Sequence, residues 1–233
     1  NIAVATAGGL KGGAAKVSVL ASALFGSISG SASANVASTG MVTLPAMQKL
    51  GYPRRVAGAV EAVASTGGQI MPPLMGAGAF VMVELTGIPY EKIILAALLP
   101  AILYFWTVWV GVNQYADKYD LKPYTADMLP ARSVVVKTAL FFFIPFSILL
   151  TVMFSGYTPQ FAAAIAILSA AFLLLIGLDF RFDLRRASKR FVDASLFSGQ
   201  QVAMIASIIL CASLIVGVLG ITGLGIKITS SIL

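Results

Sequence analysis

The sequence of 233 residues contains no histidine and one cysteine, and only 11% of its residues are charged. The absence of histidine excludes imidazole acid–base catalysis, histidine metal sites and Ser-His-Asp hydrolysis. Cys211 lies in an apolar run, has no partner for an intrachain disulfide, and is expected to be a small buried hydrophobe. Because a soluble domain has about 25% charged residues, this composition excludes an ordinary soluble protein.

Apolar residues make up 58% of the sequence, and the mean hydropathy is +0.93. They form long continuous runs, which predict an all-α integral membrane protein rather than a β-barrel. The net charge of +7 comes from basic residues beside the apolar runs. This pattern is typical of the cytoplasmic ends of membrane helices, so no nucleic-acid partner is expected. The chain begins at Asn1 without a signal-peptide pattern, and we expect it to be a fragment of a longer protein.

Residues 26–40 are almost all small, carry six hydroxyls and one amide, and include no charge. The apolar arms at 17–25 and 41–47 are each shorter than the roughly 20 residues that a membrane-spanning helix needs. Glycine and serine favour a break, so we predict a re-entrant helical hairpin over residues 17–50 with a polar tip. The alternative is that the small residues form a helix–helix packing face.

The segment 56–85 is long enough to cross the membrane, but its centre reads STGGQIMPP at 65–73. Pro72 and Pro73 lack backbone donors and, with the preceding glycine pair, should unwind the helix. We therefore predict a broken helix, the alternative being a simple proline kink. The functional break is favoured because Ser65, Thr66 and Gln69 place costly polar groups at the same depth.

Further spans are expected at 93–115, 134–154, 161–178 and 202–220, with an interfacial helix at 186–198 that turns Phe191 and Phe197 toward lipid. Residues 1–16 and 116–133 should be cytoplasmic loops, and 87–92 an external loop. Five basic residues with no acidic partner nearby are expected on the cytoplasmic face. They are Lys11, Lys16, Lys49, Arg54 and Arg55.

Both breaks are neutral and rich in oxygen. Carbonyls and hydroxyls suit a monovalent cation such as sodium, whereas helix N-termini and amides suit an anionic substrate. Asn35 can donate and accept, which suits a carboxylate or a carbonyl of a substrate. Glu61 lies about two turns into its span and should reach the surface or pair with Arg54 or Arg55, unless it has a gating or ion-coupling role.

Four segments carry a family resemblance: FGSISGS at 25–31, ANV at 34–36, GAVEA at 58–62 and STGGQIMPP at 65–73. They resemble the large membrane subunit of TRAP (tripartite ATP-independent periplasmic) transporters, most closely that of the fused permeases. The likeness is specific over residues 8–115, and residues 220–225 look like the opening of the family's second repeat.

The resemblance implies the inverted-repeat fold of the ion-transporter superfamily, incomplete here, with the first transport repeat in 1–116 and connecting helices in 117–233. It implies a multi-pass protein of a bacterial or archaeal inner membrane that imports organic acids by an elevator movement. Sodium would be the coupling ion, with no other cofactor. The partners would be a periplasmic binding protein and a small membrane subunit, fused or separate. Three alternatives remain: a carrier without a binding protein, a membrane scaffold and a membrane-embedded enzyme. The missing histidine disfavours the enzyme.

The family's sodium site, carried onto this sequence, falls on the hairpin tip and the broken helix. Its residues are Ser27, Ser29, Gly30, Ser31, Asn35, Thr66, Gly67, Gly68 and Ile70. The substrate is expected to contact Ser31, Asn35, Gln69 and Pro73.

Overall fold

The computed structural model describes residues 1–125, 128–176 and 184–223, which contain helices and no strand. The helices are α1 Ile2–Ala7, α2 Gly13–Ser29, α3 Ala32–Lys49, α4 Arg54–Gly67, α5 Gly78–Thr86, α6 Tyr90–Lys118, α7 Arg132–Phe154, α8 Pro159–Ile176 and α9 Leu184–Thr222. A short 3-10 turn, Gly68–Ile70, follows α4 directly.

Two of these helices, α6 and α7, are long and apolar enough to cross a membrane, and α2 and Pro159–Leu174 are shorter apolar helices. Large apolar side chains on their outer faces are exposed, among them Leu99, Trp106 and Ile167. Such a surface suits lipid rather than water. The predicted class, an all-α membrane protein, is therefore confirmed.

The hairpin consists of α2 and α3, and its break is much narrower than predicted. Gly30 ends α2 with a positive φ of 60°, and Ser31 begins α3 by accepting a hydrogen bond from the Ala34 N–H at 3.3 Å. The predicted break over 26–40 is wrong because alanine and serine do not end a helix on their own. The hydroxyls of Ser27 and Thr39 bond to carbonyls of their own helices. With 17 and 18 residues, the two arms are each about 26 Å long.

The base of the hairpin lies where α2 begins and α3 ends. The Tyr52 hydroxyl, in the loop after α3, donates to the Gly12 carbonyl at 3.2 Å and closes this base. Burial, with a smaller effect of Tyr115, raises the pKa of Tyr52 to about 12. The loop predicted over residues 1–16 is wrong, since alanine-rich α1 and the first turn of α2 occupy it.

Two of the five basic residues behave differently from the prediction. Lys11 forms ion pairs with Asp117 at 3.4 Å and Asp120 at 3.3 Å, and Asp120 followed by Asp117 raises the pKa of Lys11. Lys16 is buried, donates to the Asn113 side chain at 2.6 Å and lies over the Trp109 ring. The expectation of a cluster without acidic partners is therefore wrong, because Asp117 in the last turn of α6 and Asp120 just after this helix lie at the hairpin base.

The predicted broken helix is confirmed. After α4 and the 3-10 turn, residues 71–77 have no regular structure, and α5 begins only at Gly78. A simple kink is excluded because ten residues, 68–77, separate the two α-helical halves. The break lies slightly later than the predicted 65–73, since α4 continues to Gly67 and the Thr66 hydroxyl bonds back to the Ala62 carbonyl.

The spans predicted at 93–115 and 134–154 are confirmed as helices with longer bounds, α6 and α7. α8 covers residues 159–176 of the region predicted at 161–178 and is a shorter apolar helix. α9 differs from the prediction. That helix runs unbroken for 39 residues where an interfacial helix and a separate span were predicted. A single glycine, Gly199, without a proline is not enough to interrupt it. Cys211 is exposed on α9, so its predicted burial is also wrong. Arg181, the Phe197 side chain and residues 224–225 lie outside the described part of the chain.

Candidate functional site

The hairpin tip packs against the break of the second helix. A Cβ added to Gly26 would lie 2.2 Å from the Gly68 Cα, so only glycine permits this approach of two backbones. The Leu74 N–H donates to the Ser27 carbonyl at 3.1 Å, and the Gly76 N–H donates to the Gln69 carbonyl at 2.7 Å. The break is thereby folded as a compact loop on the end of α2.

The tip and the break together form one wall of a cavity of about 1180 Å³, and α5 and the start of α6 complete it. The lining is mostly apolar. Its polar side chains are Ser29, Ser31, Ser33, Gln69 and Lys92. Few polar groups in a large apolar cavity are typical of a small-molecule site.

Three helix ends lie at this wall, and a fourth, the end of α4, lies behind it. The C-terminal carbonyls of α2 and the N-terminal amides of α3 face each other across Gly30 and Ser31. The C-terminus of α4 and the N-terminus of α5 flank the break in the same way. Carbonyl ends favour cations and amide ends favour anions, so this arrangement can hold a cation beside a carboxylate.

The whole chain, residues 1–233, matches the family described as "Tripartite ATP-independent periplasmic transporter, DctM component". This chain belongs to the DctM family. It is 29% identical over 176 residues to the C4-dicarboxylate TRAP transporter large permease protein DctM of Pseudomonas aeruginosa, covering 75% of this chain and 41% of that protein. It is 27% identical over 205 residues to an uncharacterised protein of Sinorhizobium fredii, covering 86% of this chain and 46% of that protein. The chain thus spans less than half the length of these relatives.

The predicted site residues of this DctM-family chain divide into two groups. Those that line the cavity are Ser29, Gly30, Ser31, Gln69 and Ile70. The others lie behind or beside the wall and are Ser27, Asn35, Thr66, Gly67, Gly68 and Pro73. The predicted residues that line the cavity therefore come from the hairpin tip and from the first residues of the break.

Asn35 belongs to the second group and is fully buried between α2, α3 and the 3-10 turn. Its Nδ2 donates to the Ser22 carbonyl at 2.9 Å, and its Oδ1 accepts from the Thr39 hydroxyl at 3.2 Å. In this packing its side chain ties the two hairpin arms together directly behind the break.

Pro73 is fully buried, and its carbonyl accepts a hydrogen bond from the Tyr90 hydroxyl at 2.8 Å. The same hydroxyl lies 2.9 Å from the Leu74 carbonyl, so one phenol proton serves two carbonyls of the break. Sequence reasoning missed Tyr90, which begins α6. Its position after Pro89, at the start of a span, was the available signal, but nothing local indicates that it faces the break.

Glu61 neither reaches the surface nor pairs with Arg54 or Arg55, so that expectation is wrong. Its side chain is buried on the face of α4 that packs against both hairpin arms. The Ser18 hydroxyl donates to it at 2.7 Å, and the hydroxyls of Thr39 and Thr43 also contact its carboxyl oxygens. Two turns into its helix, Glu61 points inward because α2 and α3 cover that face completely.

Buried serines continue from Glu61 toward the break on the same faces of α4 and α2. Ser65 lies one turn after Glu61 on α4, and Ser22 lies one turn after Ser18 on α2. The hydroxyls of Ser22 and Ser65 are fully buried and have no hydrogen-bond partner within the described structure. Unpaired oxygens of this kind, beside Asn35 and Gly68, are suited to a ligand.

Proposed function

We propose that this chain is the part of a large TRAP permease subunit that carries one hairpin and one broken helix, and that the complete protein imports small organic acids with sodium. The observation that supports the proposal most directly is the contact between the hairpin tip and the break beside a mostly apolar cavity. Paired irregular segments of this kind supply ion and substrate sites in secondary transporters.

Sodium would bind where the two breaks meet. The oxygens available there are neutral, namely the hydroxyls of Ser29 and Ser31, the carbonyls at the end of α2, and those near Gly67 and Gly68. The described residues contain no cluster of acidic, histidine or cysteine side chains that could hold a multivalent metal. Neutral oxygens without a cluster of charges suit a monovalent cation better than a divalent one.

The organic acid would occupy the cavity with its carboxylate toward the amide end of α3. Gln69 supplies a donor, and Lys92 is the charged side chain within the described lining. The apolar remainder would accommodate the carbon chain. The C4-dicarboxylates in the name of the Pseudomonas relative would suit a donor and a cation beside an apolar lining.

Because the chain spans less than half of its relatives, the activity requires parts that lie outside it. We expect the remainder of the chain to supply the second hairpin and broken helix. The partners would be a periplasmic binding protein and a small membrane subunit, fused or separate. The assembly would be a multi-pass protein of a bacterial or archaeal inner membrane and would work by an elevator movement of the hairpin-bearing part.

The test is uptake of a radiolabelled four-carbon dicarboxylate by proteoliposomes containing the full-length permease and its small subunit. An inward sodium gradient together with the binding protein should drive accumulation, and an equal potassium gradient should not. Equal uptake without the binding protein would support the related carrier instead. No uptake under any gradient would leave a membrane scaffold and overturn the proposal.

A further inference from the structure

Glu61 places a carboxyl group in the interior of a membrane protein, with 1% of the residue exposed. Three hydroxyls surround it, Ser18 from α2 and Thr39 and Thr43 from α3. It is therefore the point at which the first half of the broken helix is joined to both arms of the hairpin.

No charged side chain compensates Glu61 within the described structure. On α2, the nearby Lys16 is directed to Asn113 and Trp109 of α6. On α6, the Tyr104 hydroxyl donates to the Val63 carbonyl of α4 rather than to the carboxyl group. The remaining cations on α3 and α4 are exposed; they are Lys49, Arg54 and Arg55. An unpaired carboxylate at such a position is strongly disfavoured, and the group must be neutralised by a bound cation or by a proton.

The hydrogen-bond network can serve both protonation states. When Glu61 is ionised, all three hydroxyls can donate to its two oxygens. When it is protonated, it can donate to Thr43, because the Thr43 hydroxyl has a second acceptor in the Thr39 carbonyl at 2.9 Å. The Thr39 hydroxyl likewise has the Asn35 carbonyl at 2.8 Å as a second acceptor. No donor or acceptor is lost when the proton arrives.

The contacts of Glu61 are hydrogen bonds that can hold a proton without rearrangement. Ser18 Oγ lies 2.7 Å from Glu61 Oε2, which is an ordinary O–H···O hydrogen bond. The threonine hydroxyls also contact the carboxyl oxygens directly. A proton on the carboxyl group occupies one of these existing hydrogen bonds and needs no additional volume.

We infer that Glu61 is a proton-binding site that controls the packing of the hairpin on α4. A proton from water adds to the carboxylate and neutralises it, and the three helices then pack as described. Loss of the proton to water leaves an unpaired carboxylate, which favours separation of α4 from the hairpin and entry of water. The role of this site in coupling rests on the proposed transport function, but proton binding itself does not.

Proton binding can be tested by infrared difference spectroscopy of the purified full-length permease. A protonated carboxyl group has a C=O stretching band, distinct from that of a carboxylate, that shifts in heavy water. We expect this band in the wild type, its loss when the carboxyl group is deprotonated, and its absence in Glu61→Gln. Asp120→Asn is the matched control, because the Asp120 side chain is 95% exposed and should not contribute to the band.

Two spectroscopic outcomes would overturn the inference. Identical difference spectra for the wild type and Glu61→Gln over the whole pH range would show that Glu61 does not gain or lose a proton. Loss of the Glu61 band on addition of sodium at constant pH would show that a metal ion, not a proton, occupies the site.

Uptake provides a second measurement that separates this inference from the proposed function. If the permease transports, Glu61→Gln should remove the pH dependence of uptake without changing the sodium concentration for half-maximal uptake. An unchanged pH dependence in Glu61→Gln would contradict a coupling role. If the wild type does not transport at all, the proposed function fails, whereas the infrared result still decides whether Glu61 binds a proton.

Discussion

Gly68 faces Gly26 so closely that a Cβ on Gly68 would lie 2.8 Å from both the Gly26 Cα and the Asn35 Nδ2. The hairpin and the broken helix therefore meet through backbone at the point where the first 3-10 turn begins. No side chain larger than hydrogen fits at either glycine without displacing one of the two segments.

We expect Gly68→Ala and Gly26→Ala to lower the free energy of unfolding by about 1–3 kcal/mol, the usual cost of overpacking a close contact. Gly58→Ala is the matched control, since Gly58 lies in the middle of α4 and an added Cβ meets nothing within 4 Å. Alanine there should stabilise the helix by roughly 0.5–1 kcal/mol. Thermal unfolding in detergent measures both effects, and similar shifts at Gly58 and Gly68 would contradict the close contact.

The hairpin should return to the membrane face from which it started. The Tyr52–Gly12 hydrogen bond closes its base, so Lys11 and Arg54 should be labelled from the same side of the membrane. The measurement is accessibility of cysteines introduced at these positions to a membrane-impermeant reagent in the full-length protein. Cys211 is exposed and must first be replaced by alanine. Labelling of the two positions from opposite sides would exclude a re-entrant hairpin.

Ser29→Ala and Ser31→Ala should each raise the sodium concentration for half-maximal uptake by the full-length permease. Loss of one oxygen ligand worth about 1–2 kcal/mol corresponds to a shift of roughly five- to thirty-fold. Ser31→Ala should also cost about 1 kcal/mol of stability, because Ser31 caps α3, whereas Ser29→Ala should not. Ser31→Gly removes the oxygen but weakens the cap by only a few tenths of a kcal/mol, so this variant separates the two effects. An unchanged sodium dependence in both alanine variants would restrict the ion to backbone ligands.

Tyr52→Phe should weaken the base of the hairpin in a pH-dependent way. At neutral pH the lost hydrogen bond to Gly12 should cost about 1 kcal/mol. The pKa of Tyr52 is raised from 10.0 to about 12, so its neutral form is favoured in the folded protein. The stabilisation of the folded protein by neutral Tyr52 is complete below pH 10 and is lost as the pH rises through about 12. Unfolding of both proteins at neutral and alkaline pH measures the difference, which should shrink at alkaline pH. A constant difference would mean that Tyr52 does not titrate in this range.

Sequence reasoning found the hairpin and the broken helix because their signals are local. Pro72 and Pro73 remove backbone donors wherever they occur, and long apolar runs predict spans without knowledge of their neighbours. Local signals could not predict how many residues separate the two helices of the hairpin at its tip. Whether a glycine such as Gly26 ends a helix or serves packing depends on what lies opposite, and here that is Gly68.

The environments of Glu61 and Lys16 were missed for the same reason. Each appeared to be close to the membrane surface, and each is buried because a helix distant in the sequence covers it. The partners of Glu61 lie 18 to 43 residues away, and Asn113 lies 97 residues from Lys16. The periodicity of α4 places Glu61 on one face but does not identify that face as the interior.

The hairpin is held by hydrogen bonds at three heights. Tyr52 joins Gly12 and closes its base, Glu61 joins α4 to both arms in the middle, and Leu74 joins the break to Ser27 at the tip. Three separated attachments leave little freedom for α2, α3 and α4 to slide or rotate relative to one another. As long as Glu61 keeps its hydrogen bonds, we expect these helices to move together as one unit. We then expect movement between elements to occur in the connections without regular structure, such as the residues between α5 and α6.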